Sequence, residues 1–216
     1  MRYFVTIFLF TAIIAAFSIS CGNKSSQTEN VIEAVPEDTT PEIIQIYAIE
    51  DAVIFENSPT KNMGKSDELL MNMNEEAGVN VNALIKFPLN QVTPLRDGDR
   101  VLLNVNFKKN SSYGTDHVGK QGIKIQSVAN DWREGSVTWS SKPAIKNDQA
   151  VLVSMDQFVN KNMSGIDITN IAKANDGNTL SILLSYNPPS GFAKTIFCSH
   201  EDSYKSCHPY ISVERR

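Results

Sequence analysis

The segment "RVLLNVNFKK" (residues 100–109) decides the fold class of this 216-residue chain. Every second residue is apolar, so Val101, Leu103, Val105 and Phe107 fall on one face, with polar residues between them. A period of two with one apolar face is typical of a β-strand in a sheet that has one buried and one solvated side.

Similar short segments recur along the chain and are separated by turn-forming clusters. The further strand candidates are "EIIQIYAI", "NALIKF", "GIKIQSV", "AVLVSM", "TLSILLSY", "KTIFCS" and "PYISVERR". Between them lie "ENSPTKNMGKSD", "RDGD", "KKNSSYGTD", "NDG" and "NPPSG". This pattern predicts an all-β fold, an antiparallel β-sandwich of the jelly-roll type. One exception, "SGIDITNIAKAND" (residues 164–176), has helical spacing and predicts one short helix.

The composition is that of an ordinary globular domain, with 41% hydrophobic and 20% charged residues. Lys and Arg number 20 against 24 Asp and Glu, and the formal net charge is −4. The sequence shows no basic stripe of the kind that binds phosphate backbones, so nucleic acid is excluded as an expected partner.

The first residues have the pattern of an export signal. A basic Arg2 is followed by an apolar run and then by small residues that end at Cys21. We predict a signal peptide over residues 1–20. Cys21 after "SIS" resembles the lipid-attachment cysteine of bacterial lipoproteins, although Ser18 stands where leucine is usual. A plain secretory signal is the alternative.

A polar stretch separates this cysteine from the first strand candidate. Residues 21–42 contain two prolines and no aromatic residue, which is typical of a flexible tether. We therefore expect a lipidated tether over 21–42 and a β-sandwich domain over 43–216. The expected location is a bacterial cell envelope, at the outer membrane or cell surface, with an acyl anchor that does not cross the membrane.

Two cysteines remain in the predicted domain, Cys198 and Cys207. In an exported protein such a pair is typical of a disulfide, and we predict one between them. Two separate buried thiols are an open alternative. A metal site is less favoured, because His200 and His208 beside the cysteines do not have zinc-finger spacing.

A series of short motifs resembles a known family. "DAVIFENSPTKNMGKSDELLM" (residues 51–71), "NALIKF", "NDWREGSVTWSSKP" (residues 130–143), "IDITNIAKA", "LSILLSY", "TIFCSHED" and "HPYISVE" follow one another in order. The series is similar to the DNRLRE domain and carbohydrate-binding module family 96. The segment from Trp132 to Trp139 is the most specific part, and the Asn62–Gly64 turn and the last hairpin are moderately specific.

The resemblance implies a non-catalytic β-sandwich that accompanies polysaccharide-degrading enzymes, with alginate and similar acidic glycans among its ligands. Two departures bear on that expectation. Asn82 stands where the family has arginine before "ALLKF", and His200 stands where it has the arginine of "Ser-Arg-Glu". If the family arginine at position 82 contacts the ligand, its loss affects the ligand class or binding itself.

We expect the ligand-binding residues on a wet sheet face and around the last hairpin. The candidates are Lys86, Arg133, His200, Tyr204, Lys205 and His208, with Tyr113 as a further stacking platform. Lys86 lies between two core-facing residues and so points outward, where it can hold a carboxylate or serve as surface filler. Arg133, Lys205 and the histidines are suited to an acidic polysaccharide, but ordinary surface charges are the alternative.

The tryptophans and acidic residues have competing interpretations. Trp132 and Trp139 can stack on sugar rings, but the fixed spacing of the motif favours a packed corner. We predict no cofactor. Asp51, Asp67 and Asp116 leave a calcium site as an open alternative, without EF-hand spacing.

Enzyme activity is not expected. The chain has no G-x-S-x-G elbow, HExxH motif or P-loop. His200 and Glu201, if both lay on a strand, would point to opposite faces and could not share a substrate. The function predicted is non-catalytic polysaccharide binding at a surface. The alternative is a structural or adhesive module of a surface protein complex, without a sugar site.

Overall fold

The computed structural model describes residues 40–108, 122–154, 162–187 and 191–215. Residues 1–20, Cys21, most of the tether, Tyr113 and Asp116 lie outside the described residues. No helix in the described ranges is long and apolar enough to cross a membrane.

Eleven strands and one short α-helix make up the described part of the chain. The strands are β1 (Glu42–Tyr47), β2 (Glu50–Phe55), β3 (Glu68–Asn74), β4 (Val79–Pro88), β5 (Arg100–Val105), β6 (Gly122–Val128), β7 (Ile145–Val153), β8 (Met163–Asp167), β9 (Thr179–Asn187), β10 (Phe192–Cys198) and β11 (Tyr210–Arg215). The helix α1 is Thr169–Lys173, and a 3-10 helix covers Lys205–Cys207.

The strands form two antiparallel sheets. The smaller sheet has the order β1-β11-β5-β8, and the larger has the order β10-β3-β4-β9-β6-β7, with β2 also paired to β4. The predicted sandwich with one short helix is therefore confirmed. Strands β2, β3 and β8 are not among the strand candidates of the sequence. In β8 the alternation is interrupted by Gly165, which has φ +71°.

The main core lies between the two sheets and is built by the inward residues of each strand. Val101, Leu103 and Val105 of β5 are fully buried in it, as the alternation of "RVLLNV" predicts. Ile182 and Leu184 of β9, in the larger sheet, belong to the same core and again occupy every second position.

A second, smaller core lies against the outer face of β2 and β4. Its buried members are Ala52, Ile54, Leu84, Val128, Trp132 and Val137. Because Leu84 alternates with core-facing Ala83 and Ile85, this cluster is on the opposite side of the sheet from the main core. The segment after β6 thus folds back over a sheet face that sequence reasoning expected to be wet.

Candidate functional site

Trp132 anchors this folded-back segment. Its side chain is buried, and Nε1 donates to Ser181 Oγ of β9 at 3.0 Å. The interpretation of this tryptophan as part of a packed corner is confirmed. Trp139 is only partly buried, and the Lys142 ammonium lies 3.7 Å from its ring centroid. The motif therefore provides packing at one end and a cation–aromatic contact at the other.

Lys86 lies beneath Trp132. It points away from the main core, as predicted, but it is only 3% exposed. Its ammonium pairs with the Glu50 carboxylate, donates to the Trp132 carbonyl at 2.5 Å and lies 4.3 Å from the indole centroid. The expectation of a lysine on an open sheet face is wrong, because the segment after β6 covers it.

Glu50 joins Lys86 to Arg133. The guanidinium of Arg133 lies 3.2 Å from Glu50 Oε1, while the Arg133 side chain is 79% exposed. Burial alone would raise the pKa of Glu50, but hydrogen bonds from Lys86 and Arg133 outweigh it and hold that pKa below its usual value. Arg133 therefore exposes its positive charge to solvent while the ion pair with Glu50 holds its position.

The turn from Asn62 to Gly64 fastens the next part of the motif. Asn62 Nδ2 donates to the carbonyl oxygens of Glu134 and Val137, both at 2.7 Å. A Cβ atom on Gly64 would overlap the Glu134 carbonyl and lie 2.9 Å from its Cα. Glycine is needed here because two backbone segments make close contact, and this explains the Asn-x-Gly pattern.

His200 links the last hairpin to β2. Ser199 Oγ donates to Asp51 Oδ1 at 2.9 Å, and the His200 backbone N–H donates to Asp51 Oδ2 at 2.7 Å. The imidazole lies between Asp51, at 3.3 Å from Nδ1, and Glu134, at 3.2 Å from Nε2. The Asp51 carboxylate raises the pKa of His200, although burial acts in the opposite direction.

Glu201 also approaches this imidazole. Its Oε1 is 3.8 Å from His200 Nε2, and Lys65 Nζ is 3.0 Å from the same oxygen. The prediction that His200 and Glu201 point to opposite faces is wrong, because β10 ends at Cys198 and both residues lie in the turn that follows. Lys65 was not singled out in the sequence; its position next to the Asn62–Gly64 turn is the signal that finds it.

The motif segments therefore meet in one place. We call the residues that meet there the ion-pair cluster: Glu50, Asp51, Lys65, Lys86, Arg133, Glu134, His200 and Glu201. Its carboxylates and cations neutralise one another, and the most exposed side chains are those of Arg133 and Lys65, at 79% and 70%. The cluster therefore holds the exposed cations of Lys65 and Arg133 against partly buried carboxylates.

A groove of about 570 Å³ lies beside the last hairpin. Its lining includes Asp67, Phe107, Lys108, Cys198, Asp202 and Tyr204. Tyr204 is 75% exposed. Lys108 lies 2.5 Å from Asp67 and 3.1 Å from Asp202, and these hydrogen bonds raise its pKa against the effect of burial. The positive charge of Lys108 in the groove is therefore already neutralised by two carboxylates.

The remaining predicted site residues lie near this groove. Lys205 is exposed in the 3-10 helix, whereas the Nε2 atom of His208 lies 2.7 Å from the Asp202 carbonyl oxygen. The predicted site residues therefore fall into two groups. Arg133, Tyr204 and Lys205 are exposed, whereas Lys86, His200 and His208 are at least partly buried and make contacts that stabilise the fold.

Cys198 and Cys207 are free thiols in the structure, and their sulfur atoms lie within 4.8 Å of each other. The structure has the two cysteines as neighbouring free thiols and not as the predicted disulfide. Burial raises the pKa of both. One is the last residue of β10, fixed by pairing with β3, and the other lies in the 3-10 helix.

Two of the three aspartates suggested for calcium are described, and each is engaged in contacts of its own. Asp51 accepts hydrogen bonds on both carboxylate oxygens, and Asp67 is paired with Lys108. They do not converge on a shared oxygen cage, so this calcium alternative has no support from the described residues.

Comparison with known proteins agrees with the geometry. A search of curated proteins finds no match. The family model described as carbohydrate-binding module family 96 matches residues 42–214, which is most of the chain and includes every described strand except the last residue of β11. The chain therefore belongs to carbohydrate-binding module family 96, and the matched region is a non-catalytic carbohydrate-binding module.

Proposed function

We propose that the protein binds an acidic polysaccharide such as alginate at a bacterial cell envelope, where a lipid on Cys21 holds it. Family membership over residues 42–214 is the observation that carries carbohydrate binding. The preference for acidic chains is supported by the exposed cations of Arg133, Lys65 and Lys205.

The binding surface in this proposal runs from Arg133 along the last hairpin to Tyr204. Arg133 is held by Glu50, so its guanidinium is positioned before a ligand arrives. The Tyr204 ring, at the edge of the groove, offers an apolar face to a sugar ring. Because the contacts are shallow and solvated, each is worth about 1 kcal/mol, and single-site affinity is weak. Anchoring many copies on one surface supplies avidity.

Affinity gel electrophoresis tests the proposal. The purified protein is run through gels that contain alginate or a neutral glucan, and it should be retarded by alginate, less so at higher salt. Tyr204→Ala should weaken retardation about fivefold, which corresponds to a loss of about 1 kcal/mol. Tyr47→Ala is the matched control, since Tyr47 is also exposed but lies on β1 of the smaller sheet.

The lipid anchor needs a separate measurement. Intact mass of the envelope-associated protein should show acyl chains on Cys21, and Cys21→Ser should release the protein into the soluble fraction. A soluble wild-type product with an unmodified cysteine would contradict the anchor and leave glycan binding untouched.

An exposed apolar row favours the second candidate, a structural or adhesive module. Ile43 and Tyr47 on the edge strand β1 are 60% and 47% exposed, and Ile49 after it is 48% exposed. An edge strand with exposed apolar side chains is suited to pairing with another protein. Failure of every acidic and neutral polysaccharide to retard the folded protein would favour this candidate.

A further inference from the structure

We propose that Glu134, His200 and Glu201 form a binding site for a zinc ion on the surface of the module. The three side chains come from two segments about 66 residues apart: the turn after Trp132 and the turn after β10. Each offers one ligand atom, and these atoms lie within 4.8 Å of one another. The proposal goes beyond glycan binding and does not depend on it.

The distances suit a tetrahedral ion. Zinc bonds to histidine nitrogen and carboxylate oxygen are about 2.0–2.2 Å, so two ligand atoms of one tetrahedron lie about 3.3–3.5 Å apart. His200 Nε2 is 3.2 Å from Glu134 Oε2 and 3.8 Å from Glu201 Oε1. A shift of a few tenths of an ångström in Glu201, whose side chain is 31% exposed, brings the second distance into range.

The surroundings of the ligands also suit a metal. Asp51 Oδ2 lies 3.3 Å from His200 Nδ1, on the side of the imidazole away from Glu134, at ion-pair distance but without the geometry of a hydrogen bond. Metal-binding histidines usually have a carboxylate on their other nitrogen, because it fixes the tautomer and the orientation of the ring. Glu134 Oε2 is buried and has no hydrogen-bond partner among the described residues, so it is an orphaned acceptor aimed at His200.

The positive charge of Lys65 lies beside the proposed ligands and would repel a bound metal ion. Its ammonium lies 2.5 Å from Glu134 Oε1, so the other oxygen of that carboxylate stays free, but it also lies 3.0 Å from Glu201 Oε1, and zinc has to displace it from that oxygen. The side chain is 70% exposed and can withdraw into water. This distinguishes the site from the group Cys198, Asp202 and Cys207, whose ligand atoms also lie close together. There the Lys108 side chain is only 14% exposed and is held 3.1 Å from Asp202.

The site depends on the residue at position 200. Where the resembled family has arginine, this chain has histidine. An arginine can pair with the carboxylates of Asp51 and Glu134 but has no lone pair to offer a metal. Histidine can do either, so His200 has the lone pair that a metal at this position needs. Glu201 lies at the surface, so water can reach the proposed site.

Isothermal titration of the purified, chelator-treated protein with zinc chloride tests the site. We expect one ion per chain and a higher thermal unfolding midpoint in zinc. His200→Arg keeps a cation for Asp51 and Glu134 and should lower zinc affinity at least tenfold. Glu201→Gln, a change at an exposed residue that should not impair folding, should also weaken binding at least tenfold. His208→Asn and Cys207→Ser are the controls and should bind zinc like the wild type.

Three results would overturn the proposal. The first is no zinc binding by the wild-type protein. The second is a zinc affinity of His200→Arg and Glu201→Gln equal to that of the wild type. The third is a loss confined to Cys207→Ser, which would place the ion at the thiols instead. None of these results bears on retardation by polysaccharide, so the zinc site and the proposed function stand or fall separately.

Discussion

Replacing Gly64 with alanine should destabilise the domain by more than most single substitutions do. The added methyl group would overlap the Glu134 carbonyl and lie 2.9 Å from its Cα, and both obstacles are backbone. Overpacking against groups that cannot rotate away costs about 1–3 kcal/mol. Relief requires the Glu134 turn to move away from the Asn62–Gly64 turn.

That movement carries a second cost. Asn62 donates to Glu134 and Val137 at 2.7 Å, and each hydrogen bond contributes about 1 kcal/mol. The two effects together predict a loss of about 3–5 kcal/mol in the free energy of unfolding. For a domain of this size that corresponds to a fall of at least about 6 °C in the unfolding midpoint.

Urea unfolding followed by tryptophan fluorescence measures this loss, because Trp132 packs in the second core beside the turn. Gly135→Ala is the matched control. Gly135 is in the turn that Gly64 contacts, but a Cβ on it would meet nothing within 4 Å. Its variant should stay within about 0.5 kcal/mol of the wild type. A Gly64→Ala protein within 1 kcal/mol of the wild type, or equal losses in both variants, would refute the close contact.

Three further outcomes follow from the structure. Lys86→Met should cost about 2 kcal/mol in urea unfolding, since it leaves the half-buried Glu50 carboxylate with Arg133 alone, and an unchanged midpoint would contradict the ion pair. The folded state lowers the pKa of Glu50, so the ionised carboxylate stabilises the fold above its unfolded pKa near 4.5, and this contribution is lost as the pH falls through the lower folded-state pKa. Glu50→Gln should therefore make the unfolding midpoint fall less between pH 6 and pH 3 than it does in the wild type. Alkylation in denaturant without reductant should label both Cys198 and Cys207, whereas no labelling would restore the disulfide predicted from the sequence.

The fold class could be predicted because the alternation of single strands records which face is buried. Val101, Leu103 and Val105 lie in the core for the reason that the pattern gave. β8 was missed since Gly165 breaks the alternation and the strand lies at an edge of its sheet. β3 was missed although "ELLMNMN" alternates, because it follows directly on a long turn-forming cluster that includes Asp67.

The candidate site was less predictable because its contacts join distant parts of the chain. Alternation placed Lys86 on the outer side of β4, which is correct. It could not show that a segment 46 residues later in the chain would cover that side. The relation of His200 to Glu201 failed for a local reason: the strand was assumed to continue, and the end of β10 at Cys198 turned both side chains toward Glu134.

The burial of Lys86 and Asp51 changes how binding variants should be interpreted. Arg133 owes its position to Glu50, which Lys86 holds from below, so a change at Lys86 alters stability and the surface together. No buried ion pair among the described residues supports the side chains of Tyr204 and Lys205, so both can be changed with little effect on folding. A glycan effect seen with Lys86 variants alone would therefore say little about contact with a sugar. An effect seen at Tyr204, with the unfolding midpoint unchanged, would place the sugar beside that ring.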